Sequence, residues 1–532
     1  MGWCAVYGCN ISKNLHRFPH KNTELVYSRL HDRVYGPHKK LVVVMARGLF
    51  SNWKQPVYFG FDRLVTSDLL LRILRLLFTA GLQVHACVTD MGAENRKMWK
   101  DLGLSEETTS IVHPCTSNSN VFFFADVPHL LKLTRNHVLD HGLKTPTGTL
   151  DKLLFEKLVA SDSNELKLCP KLNRSHIDIP KMSQSRQRVR PAAELFSTRA
   201  SKAIEFLFPE EKNGAANIRI VDNFFDVFNS RIPYADKPMR CGYGLNLEQQ
   251  NSALTEMEQL ARLSRVGKNK ALLPFQKGIL MSIKSLRMLL PELTAQYSVS
   301  YLLTHRVNQD CLESFFSQVR GASGFQRHPS PLDAIHNIRK LVASGTCGQI
   351  SSGNTCLEDS EMLTAEVLSE VSDNKISSIE TTSTPVESDD CSDSFLEKYG
   401  QSESSGVEYL AGFVAHKLRL RYPELAGEKK GDSWISYLDR GGLTTPSQRW
   451  LQQCQCLEEH FRAHNGEGIR RTDSLMSLIG SFTPQNPEAC PPEAVNLYLR
   501  TRFFIRLKNL NESVKSESQS ARAKRKVQDH KS

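Results

Sequence analysis

The sequence predicts a chain of class α/β plus α, and three observations carry that reading. Residues 41–126 hold short runs of β-formers separated by turn residues, with helix-period segments between them. From about residue 150 onward the apolar positions recur almost entirely at helix spacing. Two of the predicted strands end in an acid, a placement typical of α/β sheets, which gather ligands beyond the carboxyl ends of their strands.

Taken in order, Leu41-Val42-Val43-Val44-Met45-Ala46 is a strand, and Pro56 to Phe61 is another after a turn at Asn52. Thr66 to Ala80 is an amphipathic helix with Leu69, Leu70, Ile73, Leu74 and Leu77 on its buried stripe and Gly81 as its stop. Val84 to Thr89 is a strand that runs into Asp90; Gly92 breaks it, and Ala93 to Leu102 resumes at helical spacing. Val121 to Ala125 is a strand that runs into Asp126, and Pro128 then sits in the first turn of a helix. Asp90 and Asp126 would thus share one edge of a sheet. Taken singly, either acid serves equally well as a turn former or helix cap.

Ala192–Phe208, Ile218–Phe228, Leu247–Leu263 and Leu272–Leu290 read as helices, as does Leu302–Arg320. On the last, Asp310 and Glu313 share a face, while Leu312, Phe315 and Phe316 turn toward a core. Residues 351–405 carry 13 acids against 2 bases among many Ser and Thr, which predicts a disordered linker. Order resumes at Tyr409–Leu418, with helices to about Leu510 and a basic cluster at Arg522, Lys524, Arg525 and Lys526.

A chain of 532 residues suffices for about two to four domains, and 40% hydrophobic content suits a globular protein. No run of about 18 apolar residues appears, so no membrane partner is expected. The start of the chain lacks the charged and apolar regions of a secretory leader. Thirteen cysteines without framework spacing suit free thiols in a reducing compartment. The net charge of +11 points to a polyanionic partner, and the charge outside the acidic stretch is larger still. The basic tail reads as a phosphate contact, a nuclear address or a solubilising end.

Phosphoryl transfer on nucleic acid by two metal ions needs at least three carboxylates in one place. Asp90 at a strand end and Glu313 on a later helix fit two of them, with a large insertion between sheet and helix. Cys4 and Cys9 have the spacing of half a zinc site. No Cys-x-x-His pair follows to complete it, although His16 and His20 offer a conceivable alternative pair of ligands. No Gly-x4-Gly-Lys-Ser/Thr loop is present, which excludes an ordinary P-loop GTPase.

Several motifs in order make the chain recognisable: Gly48-Leu49-Phe50-Ser51-Asn52-Trp53-Lys54-Gln55-Pro56, Val88 to Asn95, Phe124 to Lys132, Asn308 to Phe316, Tyr409 to Leu418, and Arg440-Gly441-Gly442-Leu443. Together they resemble the P-element transposase family. Cys4, Cys9 and Leu15-His16-Arg17-Phe18-Pro19 resemble the opening of the THAP zinc finger that some members carry. The resemblance implies an RNase H-like core interrupted by a mostly helical GTP-binding-type insertion and followed by a helical C-terminal domain. It divides the chain into a THAP-like start (1–21), a first core part (22–145), the insertion (146–300), a second core part (301–350), the acidic linker (351–405), the helical domain (406–510) and the basic tail (511–532). It implies metal-dependent DNA cleavage and strand transfer by a DDE set of acids, in which Asp90 matches the second acid and Glu313 the third, both as Mg²⁺ ligands. Asp126 matches a retained acid near the site. Lys171, Arg188, Val189, Ser197, Asp226 and Asp310 fall where the family contacts guanine nucleotide. DNA, GTP and further copies of the chain are the partners implied, and the nucleus is the compartment.

The sequence departs from the family at one place. The first catalytic Asp belongs to an Asp-Glu-Met-like motif on a first strand upstream of Leu41, and no such motif is present. The expectation is therefore that the first strand is missing, with Glu24 or Asp32 as the available stand-in acids. Cys4 and Cys9 would be a remnant that holds no Zn²⁺. The function expected is a transposase derivative that binds DNA and GTP, with catalysis in doubt. The alternatives are a non-catalytic nuclear DNA- or protein-interaction protein derived from a transposase, and an incomplete product of a larger gene.

Overall fold

A computed structural model describes residues 2–9, 26–28, 33–35, 40–181, 183–322, 331–343, 391–428, 431–466, 468–469, 474–484 and 490–528. The chain forms two compact units: residues 1–152, 175–198 and 216–363 make the first, and residues 153–174, 199–215 and 364–532 the second. The stretch read as one insertion, 146–300, therefore contributes to both.

The first unit is built on a sheet of β1 (Gly2–Cys9), β2 (Leu41–Gly48), β3 (Lys54–Phe61), β4 (Leu82–Thr89), β5 (Ser110–Val112) and β6 (Asn120–Ala125), in the order β3-β2-β1-β4-β6-β5. β1, β4 and β6 run parallel, while β2 is antiparallel to β1 and β3, and β5 to β6. Strands covered on both faces must be apolar throughout rather than alternating. Leu41–Ala46, Ala86–Val88 and Val121–Ala125 meet that requirement and are all buried.

The first strand, expected to be missing, is present. Gly2–Cys9 fills the central slot, pairing Cys4–Cys9 with β2 and Gly2–Tyr7 with β4. The spacing of Cys4 and Cys9 draws a reader toward a zinc finger, but Gly-Trp-Cys-Ala-Val-Tyr-Gly-Cys is equally an apolar octad suited to a central strand. A strand rises about 3.3 Å per residue, which separates the backbones of Cys4 and Cys9 by roughly 16 Å. The short strand expected near Thr23–Ser28 is seen as Val26–Ser28, paired with Arg33–Tyr35 in a separate hairpin. Glu24, Asp32, His16 and His20 lie outside the described residues.

The helices of the core are α1 (Ser67–Thr79), α2 (Ala93–Asp101) and α3 (Val127–His141). There follow α4 (Lys152–Ser161), α5 (Arg190–Leu195), α6 (Thr198–Leu207), α7 (Lys212–Phe228) and α8 (Leu247–Leu263). The last in this part are α9 (Pro274–Tyr297), α10 (Asp310–Gly321) and α11 (Pro331–Ala343). The helix expected over Leu302–Arg320 begins only at Asp310. Asn308 is extended there, and its Oδ1 accepts the Asp310 N–H at 3.1 Å. An Asn side chain bonded to the backbone two residues on competes with helix formation, which the apolar spacing alone does not reveal.

α9 completes the sheet where strands run out. β5 pairs only with Asn120–Phe122, leaving the upper edge of β6 without a strand neighbour. Ser282 Oγ accepts the Ala125 N–H at 3.0 Å and donates to the Ala125 carbonyl at 3.2 Å, and Ser285 Oγ donates to the Phe123 carbonyl at 2.6 Å. Gly278 permits this approach, since a Cβ there would lie 3.0 Å from Ala125, Leu130 and Met91.

The second unit packs α12 (Cys391–Leu418), α13 (Trp434–Leu438), α14 (Gln448–Asn465), α15 (Ser474–Gly480) and α16 (Pro492–Gln528). Its core includes Phe395, Val407, Leu410, Trp450, Leu457, Phe461 and Tyr498. The linker boundary at 405 is thus too late. Residues 391–405 belong to α12, bent at Gly400 (φ 82°), and Phe395 and Glu403 are buried. Averaging composition over the whole acidic stretch hides the spacing of Phe395, Tyr399 and Val407. Residues 351–390 lie outside the described residues.

Several buried charges in this unit are paired. Arg502 donates from Nε to Glu458 Oε2 at 2.7 Å and from Nη2 to Oε1 at 2.8 Å, and both side chains are fully buried. Arg462 also donates to Glu458, at 2.8 Å, and pairs with Glu403, while Arg502 and Arg506 pair with Glu165.

Two stability predictions follow from these contacts. Ser282→Ala leaves the Ala125 N–H and C=O without their partner and is expected to cost about 1–3 kcal/mol, read as a lower urea midpoint. An unchanged midpoint would show that the serine does not complete the sheet. Arg502→Met leaves Glu458 buried with one partner fewer and is expected to cost about 3–5 kcal/mol by the same measurement.

Candidate functional site

Three chain segments meet at the carboxyl edge of the parallel strands. Asp90 follows the last residue of β4, and its Oδ1 accepts the Gly92 N–H at 2.8 Å and the Asn95 amide at 2.7 Å. Asp126 follows β6 and caps α3, its Oδ2 accepting the His129 N–H at 3.2 Å. Its N–H donates to the Thr89 carbonyl at 2.9 Å, tying the two strand ends together. Its other oxygen, Oδ1, accepts the Gln309 N–H at 2.9 Å, which brings the start of α10 to the same place. Glu313 lies one turn further along α10, with Oε1 3.9 Å from the Nζ of buried Lys132 on α3. Asp310 sits at the head of α10 and accepts from Asn308 at 3.1 Å and from Arg231 at 3.4 Å.

The electrostatics follow from burial. Burial raises the Asp90 carboxyl above the usual range, against the Gly92 N–H, the Asn95 amide and the charge of Lys132. Burial, with the carboxylates of Glu313 and Asp310 nearby, pushes Asp126 up to about 7. Burial also raises Asp310 and Glu313; Arg231, Arg47 and Lys132 counter it at the first, Lys132 and Arg320 at the second. His129 is pushed down to about 3 by burial and by Lys132.

The expected pair Asp90 and Glu313 is thus brought to one edge, with Asp126 between strand and helix. Sequence reasoning missed Asn95, Gln309 and Lys132. Lys132 lies on the buried side of α3 with Pro128 and Arg135. Mg²⁺ takes oxygen ligands at about 2.0–2.1 Å in near-octahedral geometry. The central strand β1 contains no Asp or Glu, and among the described residues no three His, Cys, Asp or Glu are grouped to hold a metal ion.

The six residues expected at guanine nucleotide are only partly gathered. Ser197 precedes Thr198, whose N–H donates to Asp222 at 3.1 Å. Lys237 Nζ lies 2.9 Å from Asp222 and 2.6 Å from Asp226, and Arg240 Nε donates to Asp226 at 3.1 Å. Ser197 and Asp226 therefore share one corner of the first unit. Val189 is buried at the head of α5, and Arg188 beside it is exposed, its carbonyl accepting from Arg135 at 3.2 Å. Asp310 belongs to the sheet edge instead, and Lys171 to the second unit.

A sheet of this order, with a strand-end acid and a helix-borne acid at one edge, defines an RNase H-like core, here interrupted before its last helices. Three family models match: "TNP-like, RNase H N-terminal domain" over residues 22–103, "TNP-like, GTP-binding insertion domain" over 128–241, and "TNP-like, RNase H C-terminal domain" over 305–332. The chain is 30% identical over 507 residues to the Transposable element P transposase of Drosophila melanogaster, spanning 93% of this chain and 66% of that protein. It is 28% identical over 309 residues to human DNA transposase THAP9, spanning 52% of this chain and 33% of that protein. Among solved structures, the Drosophila P element transposase strand transfer complex matches with a TM-score of 0.60 and 31% identity, over 65% of this chain and 77% of that one. The chain belongs to the P element transposase family. No helix among the described residues is long and apolar enough to cross a membrane.

The raised Asp126 gives a pH prediction. With a folded-state value of about 7 against an ordinary 3.8, the folded chain keeps a proton that the unfolded chain has already lost. This residue's contribution to stability is full below about pH 4 and lost as pH rises through about 7. Asp126→Asn is expected to lessen the fall in melting temperature across that window. Parallel curves for the two proteins would show that Asp126 does not titrate there.

Proposed function

We propose that this chain is a P element transposase derivative that binds DNA along its RNase H-like edge and does not cut it by metal-ion catalysis. The observation that carries the reading is a central strand, β1, that contains no carboxylate beside a strand end and a helix that keep Asp90 and Glu313. Two-metal phosphoryl transfer needs a third acid to hold both ions. DNA binding is supported by the family, by the net charge of +11 and by Arg96, Lys97 and Lys100, all exposed on the helix that follows Asp90. Such residues contact phosphates and give affinity with little sequence choice. The basic cluster at Arg522–Lys526 suits a nuclear address. The insertion would bind guanine nucleotide at the corner of Ser197 and Asp226, the carboxylate accepting the guanine N1–H and amino group.

Purified protein incubated with terminal-repeat duplex DNA and Mg²⁺ or Mn²⁺ is expected to bind the duplex, more weakly as salt rises, and to leave it intact. Metal-dependent nicking abolished by Glu313→Ala would overturn the proposal. For the insertion, Asp226→Ala is expected to weaken binding of a fluorescent guanine nucleotide by about tenfold or more, about 1.4 kcal/mol. Equal affinity for the adenine analogue would count against recognition by a carboxylate.

A further inference from the structure

The acid read as the guanine acceptor is closed off by a lysine of the same chain. Lys237 lies in the connection between α7 and α8. Its Nζ is 2.6 Å from Asp226 Oδ2, 2.9 Å from Asp222 Oδ2 and 3.3 Å from Thr198 Oγ1. The ammonium meets Asp226 Oδ2 out of hydrogen-bond alignment, and no other N–H or O–H among the described residues donates to that oxygen. Arg240 Nε donates to the other oxygen, Oδ1, at 3.1 Å. The side chains of Lys237, Asp222 and Asp226 are 12%, 10% and 8% exposed, whereas that of Arg240 is 47% exposed. The backbone around Lys237 is pinned. Buried Gln250 of α8 donates to the carbonyls of Pro238, Cys241 and Gly242, and the Cys241 sulfur accepts the Ala235 N–H at 3.3 Å. Movement here therefore belongs to the flexible four-carbon stem of the lysine rather than to the backbone.

We propose that Lys237 is a latch on the guanine corner, its ammonium holding Asp222 and Asp226 until an incoming nucleotide displaces it. The inference rests on reading Asp226 as the guanine acceptor. A carboxylate recognises guanine by presenting both oxygens to the N1–H and amino group. Here Oδ1 is taken by Arg240 and Oδ2 by Lys237, so the two oxygens are open together only when both cations withdraw. The half-exposed Arg240 pair is of the kind that solvent weakens. The lysine is held harder, because its departure alone would leave a buried carboxylate uncompensated. Lys237 thus sets the fraction of chains able to bind, and the apparent dissociation constant is the intrinsic one divided by that fraction. Guanine brings its own replacement: its donors give Asp226 Oδ2 the aligned N–H that it lacks in the closed form. Asp222 keeps the Thr198 N–H, at 3.1 Å, and the Thr198 hydroxyl. Opening therefore exchanges one partner of Asp226 for another.

The test uses the full chain and a fluorescent GTP analogue, read by fluorescence anisotropy. Lys237→Met is expected to bind the analogue about tenfold more tightly than wild type, and Lys237→Gln to shift the same way by a smaller factor. That gain should vanish in Lys237→Met combined with Asp226→Ala. Weaker or unchanged binding by Lys237→Met would overturn the latch, and so would a gain that survives Asp226→Ala. Wild-type binding that Asp226→Ala weakens leaves the guanine reading standing in the first case. No binding by wild type or either lysine variant would sink the reading and the latch together. Should Lys237→Met fail to fold, Lys237→Gln decides by the same titration. Failure of both to fold would show that the ammonium is a permanent structural pair, which is contrary to the proposal.

Discussion

Continuity of hydrogen bonding across the sheet is the constraint on which the rest of the first unit depends. β2 and β4 are buried, and each turns one edge of backbone N–H and C=O groups toward the gap between them. A buried group left without a partner costs about 1–3 kcal/mol, so an empty gap would outweigh the whole stability of a typical domain. β1 closes it by pairing with both neighbours. The gap asks only for an extended, apolar segment, because the pairing is made by the backbone. The chemistry of the fold asks for something separate, a single carboxylate at one position of that segment. Gly2–Cys9 meets the first requirement and lacks the second.

With the slot closed, the geometry of the edge is set by an acid outside the pair matched to the catalytic set. Both oxygens of Asp126 accept backbone N–H groups, one from His129 and one from Gln309. One bond starts α3 and so places Lys132; the other holds the head of α10 and so places Glu313. Asp90 is oriented separately, by Gly92 and Asn95 immediately downstream. Glu313 reaches the strand ends across a long insertion because a buried carboxylate anchors the helix that carries it. An arrangement of this kind survives the loss of the first acid, since none of its bonds pass through β1.

Much of the fold was legible, and the failures share a cause. β2, β4 and β6 were found because strands buried on both faces must be continuous runs of β-formers, and α8 because its apolar period is unbroken from Leu247 to Leu263. Asp90 and Asp126 were found because a strand that ends in an acid before Gly or Pro is a local pattern. What was missed depended on partners distant in sequence. β1 was hidden because Cys4 and Cys9 suggested a different use for an apolar octad. Lys132 was hidden because a lysine inside an amphipathic helix is ordinarily solvated, and only Glu313, far along the chain, shows that this one is not. The early start of α12 was hidden because acids such as Glu403 normally mark disorder, whereas here Arg462 pairs with that carboxylate. Local pattern records backbone demand well and records the charge partners of buried groups hardly at all.

The helical core of the second unit and the sheet edge of the first bury charge in opposite ways. In the second unit Glu458 is met by Arg502 through two parallel hydrogen bonds and again by Arg462, and Glu165 by Arg502 and Arg506. Guanidinium and carboxylate are matched in number and shape, as they must be where the aim is a unique packing of helices. At the sheet edge Lys132 lies 3.9 Å from Glu313 and Arg231 3.4 Å from Asp310, and burial raises Asp90, Asp126, Asp310 and Glu313 alike. Nothing in the folding of an α/β sheet calls for that excess of acid, which costs stability as pH rises. An excess of buried acid is the arrangement that suits binding of further positive charge.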